Sequence, residues 1–442
     1  MLTLIIALPF ISYAVRIGTG WQWLTAVFFT FIPAISITVT LVNWLVTHLI
    51  KPCTLPKLDF LQHGIPPECR TMVVIPTLLT HPAEVDSLLK QLELHYLRNP
   101  DPQLSFALLT DFADVADTET TDATAVADRQ LLTQTQNGIE ALNKRYAGQP
   151  FYFFHRHRQW NPSENTRMGW ERKRGKLHEF NQLLRGRDQT SFTVQIGNLD
   201  ILPHIQYIIT LDADTILPRD GANRLIGALA HPLNQPQFEP HTSKVIAGYT
   251  ILQPRTQIQS TSANYFFFTR IFAGDTGLDL YTLAVSDVYQ DLFGEGSCIG
   301  KGIYHVDAFE RSLAGRIPEN TLLSHDLFEG IYGRAGLVTD IVLYEEFIGL
   351  DDNWLPPIIF KRRPAAWSLT ARLPPTSGFI CCSLSPPTTW VILAPDFSPA
   401  RLELGQSSAI VRSYMAHHQG MILLALANYL HDNRKCSVPQ ET

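Results

Sequence analysis

The sequence predicts an α/β domain behind an apolar N-terminal segment, followed by an irregular tail. Three observations lead there. Short β-branched runs alternate with helical stretches from residue 71 onward, residues 24–46 are almost wholly apolar, and residues 358–399 show no sustained hydrophobic period. In sheets of this class, ligands bind at the carboxyl ends of the strands.

The 442 residues, 45% of them apolar, provide for two or three domains with a large core. A formal net charge of -6 argues against a nucleic-acid partner, since such a surface repels phosphate chains. The six cysteines, Cys53, Cys69, Cys298, Cys381, Cys382 and Cys436, lack zinc-ligand spacing and disulfide density, so they read as reduced thiols.

Residues 24–46, almost wholly apolar with Pro33 and Asn43 as interruptions, have roughly the ~20 residues that a transmembrane helix needs. The shorter apolar stretch 2–15, with Pro9 inside it, reads as a signal-peptide core or a clipped helix. Lys51, Lys57 and Arg70 follow the long stretch whereas only Arg16 precedes it, which puts the rest of the chain in the cytoplasm. Residues 1–50 are thus expected to be membrane segments.

Strand signals follow at 71–75, ending at Pro76, at 106–110, ending at Asp111, and at 151–154. Helical periodicity covers 84–96 and 137–146, and the polar stretch between Asp111 and Gln136 reads as a surface helix or loop. The run 207–215 is an apolar strand that ends in Asp212 and Asp214. Alternation along a strand lets both carboxylates point to one side and hold a hard divalent cation, although such a pair also occurs in solvated loops.

Residues 171–186 open with Lys173, Arg174 and Lys176 ahead of an amphipathic helix. Cations and unpaired backbone donors at a helix start attract a diphosphate; the alternative is a solvated basic face. Pro218-Arg219-Asp220 reads as a helix opening. The string Gly294-Glu295-Gly296-Ser297 is too glycine-rich for a helix interior and matches no phosphate-binding fingerprint. Asp326, after Ser324-His325 and ahead of helical 327–335, is an N-cap or a general base at the mouth of a site.

Taken in order, Asp111, the Lys173–Lys176 run, Asp212 with Asp214, Gly294–Ser297 and Ser324-His325-Asp326 resemble the motif series of a processive, inverting GT-A glycosyltransferase. The longer strings 170–176, 284–297 and 318–326 resemble the glycosyltransferase domain of bacterial cyclic β-1,2-glucan synthases, over residues 52–347. The resemblance implies a GT-A domain at 51–350 that transfers glucose from UDP-glucose to a growing β-1,2-glucan at the bacterial inner membrane. By the same resemblance, Asp111 contacts the nucleoside and Asp212 and Asp214 hold Mg²⁺ or Mn²⁺ on the diphosphate. Lys176 adds positive charge there, Gly294, Glu295, Gly296 and Ser297 line the acceptor channel, and Asp326 deprotonates the acceptor hydroxyl. Membrane lipid is the remaining expected partner.

The chain also departs from that pattern. The family's Gln/Arg-x-x-Arg-Trp motif does not follow Phe347, and Lys361-Arg362-Arg363 is no substitute because Pro364 interrupts a helix. Residues 351–442 read as a truncated remnant of a downstream region, with a terminal helix at 412–430 and no phosphorylase domain. The adjacent His417 and His418 point about 100° apart on a helix, which suits packing better than a shared metal. The alternative reading is therefore a catalytically impaired membrane-bound fragment that binds nucleotide sugar. A carbohydrate phosphorylase ranks last.

Overall fold

The computed structural model describes residues 2–17, 20–50, 54–115, 122–162, 166–187, 189–259, 288–296, 298–317, 326–345, 358–363, 366–371 and 380–383. The expectations for Ser297, Ser324-His325 and 412–430 lie outside the described residues. In chain order the elements are α1 (Leu2–Ile17), α2 (Gly20–Leu49), β1 (Thr71–Leu79), α3 (Pro82–Arg98), β2 (Leu104–Phe112), α4 (Asp122–Arg145) and β3 (Phe151–Arg156). Then come β4 (Gln159–Asn161), β5 (Thr166–Met168), α5 (Arg172–Leu184), β6 (Phe192–Ile196), β7 (Tyr207–Thr210), β8 (Thr215–Ile216) and α6 (Gly221–Ala230). They are followed by β9 (Gln237–Phe238), β10 (Val245–Ala247), β11 (Ile251–Ile258), α7 (Val288–Phe293), β12 (Gly302–His305), α8 (Val306–Leu313), α9 (Asp326–Gly333) and β13 (Ala335–Glu345).

Nine strands form one mixed sheet in the order β6-β3-β2-β1-β7-β12-β11-β13-β8. Its centre, β3-β2-β1-β7, is parallel, and β12 runs antiparallel to both β7 and β11. Alternation along the central strands explains the two layers that cover it. Val73, Ile75, Phe106 and Phe153 enter a core with Leu92, Ile139 and Leu225 of α3, α4 and α6. Met72, Val74, Ala107 and Phe154 face the opposite way, onto Leu177 and Phe180 of α5 and Phe309 of α8. Strands buried on both faces read as unbroken apolar runs, which is how β1, β2 and β3 read. The architecture is α/β on a large mixed sheet and fits a Rossmann-like, GT-A-like domain.

Strand β1 and helix α4 run beyond the bounds expected from sequence. Strand β1 runs through Pro76 to Leu79. Val74 O accepts from Leu211 N, so alternate residues of β1 face β7, and β7 pairs only with Thr71–Val74. Pro76 therefore faces the side where no ladder partner remains, and its missing N–H costs nothing there. The polar stretch before residue 137 belongs to one continuous helix, α4, in which Leu131, Thr135, Ile139 and Leu142 form a buried stripe at helical spacing.

A second compact unit comprises 114–120, 160–167 and 348–442. Within it, β14 (Ile358–Arg363), β15 (Ala366–Ala371) and β16 (Ile380–Ser383) form an antiparallel sheet, in part of the stretch whose sequence reads as irregular. Strands of four to six residues supply too few repeats for a period to stand out.

Among the described residues no helix is long and apolar enough to cross a membrane. The backbone of α2 is helical over 30 residues and contains the whole 24–46 stretch, part of whose side chains lies outside the description. The described cysteines Cys69 and Cys298 are free thiols.

Candidate active site

The carboxyl ends of β1, β2, β3 and β7 meet at one edge of the sheet, and sequence position decides what stands there. Asp111 is the penultimate residue of β2, Arg156 the last of β3, and Asp212 follows β7 by two residues. Antiparallel pairing sets Gly302 of β12 opposite Thr210, which brings Lys301 to the same edge. Helix α5 supplies Lys173 and Lys176, one turn apart and so on one face.

Arg156 is the hub of this edge, with its side chain fully buried. Its Nε and Nη2 donate to the two oxygens of Asp111 at 2.7 and 2.8 Å. Nη1 donates to Glu179 Oε2 at 2.9 Å and to the Trp170 carbonyl at 3.0 Å, and Nη2 also reaches the Arg172 carbonyl at 3.0 Å. Those carbonyls flank Glu171 and Arg172, both left-handed at φ 50. Non-glycine residues resist that conformation, and the arginine holds the turn that launches α5. Gly169 is required beside it, because a Cβ there would lie 2.6 Å from the Asp111 carboxyl carbon.

Lys176 Nζ completes the cluster, 3.0 Å from Asp111 Oδ2, and donates to the Thr77 carbonyl at 2.6 Å. Burial pushes the lysine down to about 8, against the opposing pull of Asp111. Burial alone would raise the Asp111 carboxyl, but Lys176 and Arg156 outweigh it and hold the group below its ordinary range. At 2% exposure Asp111 is an internal anchor whose oxygens face protein cations.

Asp212 and Asp214 stand on a turn rather than on the strand. Strand β7 ends at Thr210, and Thr215 N donates to the Asp212 carbonyl at 3.1 Å. Asp212 Oδ1 accepts from Lys173 Nζ at 2.6 Å, and Oδ2 lies 3.0 Å from Lys301 Nζ. Burial works against ionisation of Asp212, but Lys173 and then Lys301 keep its acidity enhanced. Lys301 is shared with Glu345 of β13. Asp214 lines a groove with Glu84, Ser87 and Gln91 of α3.

Lys173 also donates to the Gly300 carbonyl at 3.1 Å. Gly300 has φ +74, and a Cβ on it would lie 2.5 Å from Asp326 Oδ1, so only glycine admits the Asp326 carboxylate here. Asp212, Lys173, Gly300 and Asp326 thus form one contiguous group. The upstream glycines are tied to the scaffold: the Gly294 carbonyl accepts from Tyr249 Oη and Arg334 Nη2, and Gly296 N donates to the Ala335 carbonyl at 2.7 Å. Glu295 is half-buried beside them.

The edge of the sheet thus holds Asp212 and the lysines Lys173 and Lys301, with Asp326 beside Gly300. The chain is 45% identical over 352 residues to the cyclic beta-(1,2)-glucan synthase NdvB of Rhizobium meliloti (strain 1021), an alignment that covers 78% of this chain. The chain is a relative of cyclic β-(1,2)-glucan synthase. It spans 12% of that synthase's length. No protein-family model matches the chain.

For this synthase relative, Asp111 and Asp212 stand at the sheet edge, Lys176 reaches it from α5, and Asp326, the first residue of α9, lies against Gly300, whereas Asp214 turns toward α3. Asp212 and Asp214 supply hard oxygen donors. Among the described residues no three His, Cys, Asp or Glu side chains gather into a ligand cluster. Of the two aspartates, Asp212 alone stands at the sheet edge, so a cation there would take one carboxylate from protein and its other ligands from phosphate and water, as Mg²⁺ can. Arg156, Glu179 and Lys301 were missed in the sequence. Of these only Lys301 carried a signal, through its place in the glycine-rich string.

Proposed function

We propose that the chain is an inverting glucosyltransferase that takes glucose from UDP-glucose and adds it to a growing β-1,2-glucan. The observation that carries this reading is the contiguous group Asp212–Lys173–Gly300–Asp326 at the carboxyl edge of the sheet. Lys173 and Lys301, which neutralise Asp212, supply the positive charge that a leaving diphosphate needs. Asp212 would hold Mg²⁺ or Mn²⁺ through one carboxylate, Asp214 standing two residues on in the same turn, and the ion would supply further charge neutralisation on the diphosphate. Asp326 accepts the proton of the acceptor hydroxyl, so that the acceptor oxygen attacks the anomeric carbon in line and an α-linked donor yields a β-linked product. Asp111 acts through the clamp that sets α5 and its lysines, rather than by direct contact with the nucleoside. Location at the inner membrane rests on the apolar 24–46 stretch.

The test is radiolabelled UDP-glucose supplied to membranes that contain the chain, with UDP binding measured on the purified protein. Metal-dependent UDP binding together with label in β-1,2-linked product is expected. Binding without transfer would instead favour the impaired fragment, in line with the motif missing after Phe347. Absence of UDP binding would overturn both.

A further inference from the structure

Helix α5 has a second working face. Lys173 and Lys176 point to the sheet edge, while Arg174, Leu177 and His178 line a separate cavity of 150 Å³ closed by Phe309 and Glu310 of α8, Glu329 of α9 and Trp170. One water needs only about 10–15 Å³ of such space, so the cavity admits a group of several heavy atoms, on the scale of a sugar ring. Its wall is chemically mixed. Arg174 stacks over the Trp170 ring at 5.6 Å from the centroid, and its Nη2 lies 3.0 Å from Glu171 Oε1. The side chain is 11% exposed, yet its Nε has no hydrogen-bond partner among the described residues. A buried guanidinium N–H without an acceptor costs on the order of 1–3 kcal/mol and calls for a bound group to meet it.

The charges on the wall are already paired within the protein. Arg174 lies against Glu171, and Glu310 is held by His178, 2.9 Å from its Oε2 and kept more basic by it, and by Asn181 on its Oε1, with the buried Glu329 beside them. An anion would be repelled by the two carboxylates and a cation by the arginine. What remains is a neutral ligand with many hydroxyls, able both to give and to accept hydrogen bonds, with an apolar face for Trp170 and Phe309. Glu329 lies three residues after Asp326 on α9, so the two share one face about 4.5 Å apart along the axis.

We infer that this cavity is a sugar subsite that holds a glucosyl unit of the acceptor one helical turn from Asp326, an inference that rests on the glucosyltransferase reading for the identity of the sugar. The test titrates the full chain with a β-1,2-linked glucose disaccharide and, separately, with UDP. Arg174→Met removes the orphan donor, and Ala314→Phe fills the cavity from its exposed rim without touching the core. Disaccharide binding that weakens at least tenfold in both variants, with UDP affinity within twofold of the parent, is the expected result. Undetectable disaccharide binding by a parent protein that binds UDP overturns the subsite and leaves the glucosyltransferase reading intact. Disaccharide binding unchanged in both variants overturns the location. Variant-sensitive disaccharide binding without UDP binding supports the cavity and sinks the donor assignment.

Discussion

Arg156 grips Asp111 through two parallel hydrogen bonds of 2.7 and 2.8 Å, both partners sealed from solvent at the ends of neighbouring strands. The same guanidinium holds the carbonyls of Trp170 and Arg172. One side chain therefore fixes the strand end and the left-handed turn from which Lys173 and Lys176 project. Planar, multidentate geometry of this kind is open to arginine and not to lysine.

Loss of the clamp should be costly. Arg156→Met leaves Asp111 with Lys176 as its remaining cation and takes from Glu179 the arginine that pairs with it, and breaking a buried pair in this way costs about 3–5 kcal/mol. Urea unfolding should show a shift of that size. Adding Asp111→Asn to the same chain should cost less than the sum of the two single changes, because both break the same pair of hydrogen bonds. Additive losses would mean that the two residues act independently.

Lys173 should matter for binding and little for folding. It is partly exposed and joins Asp212 to the Gly300 carbonyl. Lys173→Ala is expected to weaken UDP binding about 10–100-fold, the scale of one charge-assisted contact to phosphate, with an unfolding midpoint close to the parent's. Calorimetric titration checks it, and an unchanged UDP affinity counts against the diphosphate role.

Asp326 separates binding from transfer. Asp326→Asn keeps the shape beside Gly300 while removing the proton acceptor, so UDP affinity should hold and glucosyl transfer should fall about 10²–10⁴-fold. Equal losses in both would point to a structural part for the carboxylate.

The expected cation is tested by its removal. Chelation should weaken UDP binding, with Mg²⁺ or Mn²⁺ restoring it, and Asp212→Asn should remove that dependence. UDP binding that ignores chelator and substitution alike would leave Lys173 and Lys301 as the whole of the diphosphate charge.

Much of the edge was legible because strand ends can be read from apolar runs: 106–110 predicts Asp111 at a carboxyl end, and 207–215 predicts Asp212 near another. Arg156 was not legible. It follows Phe151–Phe154 as a charge at a strand end, which reads as solvated, and its burial depends on partners 14 to 45 residues away in sequence. Lys301 meets Asp212 only because β12 pairs antiparallel with β7, a crossover that local pattern cannot disclose. The shared orientation expected for Asp212 and Asp214 rested on strand alternation, which ceases at Thr210, where the chain turns.

Lys176 should leave a mark on the pH dependence of stability. Burial lowers its folded-state pKa to about 8, against 10.5 for the ordinary side chain. Between those values the unfolded chain binds more protons than the folded one, so stability gains from this residue as pH rises through the window; below about 8 the full cost of the buried charge is present. Asp111 and Arg156 keep their charges throughout, because the arginine is held more basic and the aspartate more acidic than usual. Lys176→Met removes the titration. The stability of the parent relative to this variant should therefore increase between about pH 8 and pH 10, by on the order of 1–3 kcal/mol, in urea unfolding at matched ionic strength. A difference that stays flat would show that Asp111 compensates the buried ammonium fully.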